Sequence, residues 1–149
     1  MTIKTAGGVI LGIYLLLMAV YDIRNREIQM GISLLTLAVL AVCQTCRILC
    51  GEEVWYLAFS GVTVGLFLTG LSKITRGQIG TGDGIVFIVS GTVLGFFENS
   101  ILLFLSLIFA AVTGVCLILF RRVGRKDTMP FVPFIFAGYG VMCLWKLFS

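Results

Sequence analysis

Two aspartates stand where apolar runs meet charge. Asp22, in Tyr21-Asp22-Ile23-Arg24, closes the first apolar stretch. Asp83, in Gly80-Thr81-Gly82-Asp83, lies between a basic loop and the run Ile85-Val86-Phe87-Ile88-Val89. An acid at the mouth of a hydrophobic span is costly unless something pairs or uses it. Two carboxylates that share a site hold one proton between them, so one serves as base and the other as acid near neutral pH. The base activates a water for attack on a peptide carbonyl, and the acid polarises that carbonyl and later protonates the leaving amine. This chemistry needs neither a metal nor a covalent nucleophile, which suits a chain without histidine. No cofactor and no metal is expected.

Helix position divides the roles. Asp83 is expected to precede and cap the fourth helix, at the positive end of its macrodipole, which favours the charged form. Asp22 is expected to end the first helix, at the negative end. Asp83 is therefore the expected resting base and Asp22 the acid, with Arg26 offsetting this if the helix runs that far. Gly80 and Gly82 permit positive φ and leave no side chain beside Asp83, so an extended substrate backbone can approach. A third stretch, Asp127-Thr128-Met129-Pro130-Phe131-Val132-Pro133-Phe134, opens the last helix. Asp127 or Thr128 would cap it, Pro130 would sit in its first turn, and Pro133 would remove a donor and free nearby backbone groups. Each feature has a plainer reading: a glycine turn with a capping acid, an interfacial acid beside Arg24 and Arg26, a proline-marked helix start. The matched depth of the two acids favours function.

The elements that must position these residues are membrane spans. The hydrophobic fraction is 59% against 12% charged, and mean hydropathy is +1.10, outside the range of a soluble domain. Apolar stretches run over Ala6–Tyr21, Gly31–Leu49, Val54–Leu71, Gly84–Phe97, Ile101–Phe120 and Pro130–Phe148. A span takes about 20 residues, so the 149 residues form one all-α, polytopic membrane domain of about six helices. The fourth stretch is short, about 21 Å at helical rise, and the glycine motif is expected to extend it as non-helical backbone dipping into a wet notch. The first stretch reads as a retained helix and not a cleaved signal, because Arg24 and Arg26 follow its core.

Of the eleven basic residues, eight fall in the first, third and fifth loops: Arg24, Arg26, Lys73, Arg76, Arg121, Arg122, Arg125 and Lys126. The positive-inside bias puts those loops in the cytoplasm and both termini outside, with Trp55 and Trp145 at the outer interface. Both aspartates then lie at the cytoplasmic face. The net charge of +4 is spent on topology and points to no nucleic acid.

The three stretches together resemble the prepilin peptidases, membrane aspartyl proteases of bacteria, and the related preflagellin peptidases. The family's aspartate with a following basic segment is similar to Asp22–Met30, its Gly-x-Gly-Asp to Gly80–Asp83, and its Pro-Phe-Gly-Pro-Phe to Pro130–Phe134. The resemblance spans nearly the whole chain. It implies that Asp22 and Asp83 are catalytic and that Gly80, Gly82, Pro130, Phe131 and Pro133 shape the site. It also implies removal of the leader of type IV pilin-like precursors, after a glycine, at the cytoplasmic face of the bacterial inner membrane. The precursor helix, a partner within the lipid bilayer, would lie against the enzyme.

There are departures. Gln29 and Met30 replace Pro and Asn, Gly84-Ile85 replaces an apolar-Lys pair, and Val132 replaces Gly, so substrate preference or rate is expected to differ. Larger members carry a Cys-x-x-Cys insertion and methylate the new amino terminus; the first loop here has no room for one, which implies cleavage without methylation. Cys43, Cys46 and Cys50 share a face of the second helix and are expected to be small buried hydrophobes. Two other readings keep the acids but change the chemistry: a presenilin-type protease, whose aspartates lie on consecutive helices, and a small proton-coupled transporter.

Overall fold

Long apolar runs in lipid must satisfy every backbone group internally, and helices do so. The computed structural model describes residues 3–25, 29–51, 56, 60–75, 80–120 and 130–148. Five helices follow one another: α1 (Ile3–Asn25), α2 (Met30–Leu49), α3 (Val62–Ile74), α4 (Thr81–Leu119) and α5 (Val132–Phe148). Among the described residues no strand occurs. α1 from Ala6, α2 and α4 are long and apolar enough to cross a membrane, and α3 and α5 are shorter apolar helices.

α4 is not one rod. Gly95 has φ 74° and ψ −179°, a region that in practice only glycine enters. Across this break the Asn99 amide donates to the Phe87 carbonyl at 3.0 Å, and Ser90 Oγ donates to Asn99 Oδ1 at 2.7 Å. In an unbroken helix residues 87 and 99 would stand about 18 Å apart, so the chain turns back at Gly95. α4 thus supplies two helical segments, as the hydropathy pattern predicts for this part of the chain. The boundary differs: the reversal lies at Gly95, whereas Glu98–Ser100, the expected gap, are helical. Asn99 is polar because it works inside the hairpin, where it is fully buried.

The first half of α4 keeps the predicted short length but starts earlier, at Thr81. The expected non-helical dip of Gly80–Asp83 is therefore corrected: Thr81–Asp83 form the first turn of the helix. Short residues then let α3 and α4 meet backbone to backbone. A methyl group on Gly61 would strike the Gly91 carbonyl, one on Gly65 the backbone of Ile88, and one on Gly84 the Thr69 side chain. The Asn99 amide also donates to the Gly61 carbonyl at 2.9 Å, so one side chain ties the hairpin to the entry of α3. The stretch Val54–Leu71 falls partly outside the described residues; its helix, from Val62, continues to Ile74.

Apolar side chains such as Leu35, Phe67, Phe104 and Leu119 face outward, while Ser33, Ser72, Ser90, Asn99 and Ser106 are buried. Lipid replaces water around the first set; in the second, Ser33, Ser90 and Asn99 hydrogen-bond between helical segments, while Ser106 Oγ donates to the Leu102 carbonyl of its own helix. The cysteines depart from expectation. Cys46 and Cys50 are exposed and Cys43 is half-buried, because their face of α2 looks away from the core; Cys116 of α4 and Cys143 of α5 are exposed as well. Trp145 is exposed, and Trp55 lies outside the described residues.

Candidate active site

Asp22 stands in the last turn of α1 and is buried. The same helix is anchored to α2 by Tyr14, whose hydroxyl pairs with Ser33 Oγ at 2.9 Å, and to α5 by Tyr139, whose hydroxyl donates to the Gly8 carbonyl at 2.8 Å. These two contacts fix the rotation of α1 and so the direction of Asp22. Its Oδ2 accepts the backbone N–H of Val132 at 3.1 Å. Val132 opens α5, so Asp22 caps from outside a helix 110 residues further on. The first N–H groups of a helix lack internal partners; here one of them is met by the carboxylate. Arg26, invoked above as an offset, lies outside the described residues.

This changes the ground for dividing the roles. The dipole of α1 presents its negative end to Asp22, but the positive end of α5 meets the same carboxyl. The two helix ends act in opposite senses, so the argument that made Asp22 the acid no longer holds.

Asp83 is the third residue of α4 and not its cap. Gly80 holds the cap position without a side-chain bond, and the Asp83 N–H donates to the Gly80 carbonyl at 3.2 Å. Gly80 has φ −59°, and neither it nor Gly82 takes positive φ. The need for glycine at position 80 is one of space, since a Cβ there would stand 2.8 Å from Asp83 Oδ2. Asp22 and Asp83 are close enough for their charges to act on each other. α1 and the first half of α4 therefore bring the two predicted acids to one region.

The proline stretch is placed differently from expectation. Pro130 precedes α5, and Pro133 is its second residue, where a missing N–H removes no internal bond. The Phe131 carbonyl accepts the Phe134 and Ile135 N–H groups at 3.0 and 3.3 Å, so Phe131 starts the helix that meets Asp22. Asp127 and Thr128 lie outside the described residues. Two contributors escaped the sequence reading. Val132 acts through its backbone, which no side-chain motif can signal. Gly84, read as a family departure, is where Thr69 passes; its spacing from Gly91 and Gly95 was the available signal.

Residues 9–119 match the type IV leader peptidase family. Over 125 residues the chain is 34% identical to the prepilin leader peptidase/N-methyltransferase of Bacillus subtilis (strain 168). That alignment covers 83% of this chain and 49% of the relative, so the chain spans about half the relative's length. No solved structure matches the chain. On the family match and this identity together, the chain belongs to the type IV leader peptidase family.

Proposed function

We propose that this membrane protein is an aspartyl endopeptidase that removes the leader of type IV prepilin-like precursors at the cytoplasmic membrane face. The reading is supported by the family match together with Asp22 in the last turn of α1 and Asp83 in the first turn of α4, two acids whose charges act on each other. The pair shares one proton and holds one water. The ionised carboxylate takes a proton from that water as its oxygen attacks the scissile carbonyl carbon. The other carboxyl gives its proton to the developing oxyanion. Collapse of the intermediate breaks the C–N bond: the departing amine takes up the proton held by the first carboxylate, and the second carboxylate takes back a proton from the diol, restoring the starting pair. The products are the leader's new carboxylate and the pilin's new amino terminus. Methyl transfer is not part of the proposal.

The test is cleavage of a pilin-like precursor by the full chain in detergent or in co-expressing cells, read by the mass of the product. Asp22→Asn and Asp83→Asn should each accumulate in the membrane and lose cleavage by about 10²–10⁴-fold, the usual weight of a general acid or base. Full processing by either variant would overturn the reading. Proton-coupled uptake without proteolysis would assign the acids to transport.

A further inference from the structure

The end of the bundle remote from the two aspartates holds a second site. A groove of about 610 Å³ opens there, walled by Gly8 and Gly12 of α1, Val93 and Leu94 at the bend of α4, and Tyr139 and Met142 of α5. Along α5 the groove runs from Tyr139, seven residues past Val132, to Lys146, fourteen past it, so its near end stands about 10 Å and its charged end about 21 Å from the Asp22 end of the bundle. Its walls are apolar except at one end. There Lys146 Nζ meets Glu98 Oε1 at 2.6 Å, with the lysine 54% and the glutamate 31% exposed. Trp145 and Phe148, beside the lysine, are also exposed, as residues at a membrane–water boundary are.

We propose that this groove binds a diacyl phospholipid with an ethanolamine headgroup. An acyl chain fills the apolar walls, and the headgroup meets the charged end. The site offers one cation and one anion, so its complement is a zwitterion: the lipid phosphate on Lys146 and the primary ammonium on Glu98. A glycerol headgroup supplies phosphate but no cation for Glu98. A choline headgroup carries its charge on a nitrogen without N–H groups and cannot donate to a carboxylate. Exchange of partners is cheap, because an exposed Lys–Glu pair contributes little by itself. Gly8 and Gly12 keep the α1 wall low, while Tyr139, tied to the Gly8 carbonyl, forms the floor. The site is separate from the aspartates and does not depend on their chemistry.

The test is lipid retention by the purified, delipidated full chain, using dioleoyl phosphatidylethanolamine, phosphatidylglycerol and phosphatidylcholine in turn. Native mass spectrometry reports the bound lipid, and the rise in melting temperature reports its effect. The wild type should bind the ethanolamine lipid about tenfold more tightly than either other lipid. Glu98→Gln should turn the preference to phosphatidylglycerol, and Lys146→Gln, which removes the phosphate's partner but leaves Glu98 for the ammonium, should weaken every headgroup and phosphatidylglycerol most. Equal retention of all three lipids by the wild type, or an unchanged order in Glu98→Gln, overturns the proposal. So does a disulfide from Cys143, which lines the groove, to a cysteine placed in a precursor's apolar helix, since that result gives the groove to the substrate.

Discussion

The carboxyl of Asp22 is held by a backbone donor, and this sets what its neighbours contribute. Val132 could be almost any residue and still offer its N–H. Proline is the exception. Val132→Pro deletes this donor, leaving the Phe131 backbone bond to Asp22, while keeping a residue suited to the first turn of a helix, and Phe131 before it already starts that helix. A hydrogen bond to a charged group is worth about 1.5–3 kcal/mol, so cleavage should slow by about tenfold or more in kcat. Melting temperature should fall by several degrees, and the loss in kcat per folded molecule should remain. At this scale the sequence singled out the two aspartates, because an aspartate among apolar residues stands out. It did not expose their partners, since a backbone N–H leaves no mark on the residue type.

At the scale of the element, the hairpin in α4 is the device that presents Asp83. Gly95 turns the chain, Asn99 and Ser90 close the turn, and the glycines facing α3 hold the short first half in place. Gly95→Ala forces a side chain into a backbone region that costs about 1–3 kcal/mol. It should lower stability by that amount in detergent denaturation, with cleavage reduced in step with the folded fraction. The helices themselves were legible, since apolar runs of span length leave little choice. Their ends were less so. Glu98-Asn99-Ser100 looks like a loop by polarity, yet Asn99 is an internal strut. Gly80-Thr81-Gly82 looks like a turn by composition, yet Thr81 and Gly82 open a helix. Pro130 and Pro133 announced the start of α5 correctly but not which of them would lie inside it. In each case a contact distant in sequence decided the outcome.

For the whole molecule, the fold places polar groups inward and apolar groups toward lipid, and the basic residues crowd into alternate loops. The positive-inside bias predicts that cysteine-free variants carrying Arg125→Cys react with an impermeant thiol reagent only from the cytoplasmic side. Variants carrying Thr2→Cys or Ser149→Cys should react from outside. The reverse pattern would put the aspartates on the wrong side for a cytoplasmic leader. Architecture was readable because hydropathy and charge act over whole segments; the convergence of α1, α4 and α5 on one site was implied by matched depth alone. That convergence is the central claim, and non-additivity measures it. Single-turnover cleavage should be recorded for Asp22→Asn, Asp83→Asn and the double variant, each checked for membrane accumulation. If one water is worked by both carboxyls, the double variant cleaves no more slowly than the slower single variant. Losses that multiply would mean that the two aspartates act apart, and would contradict the account.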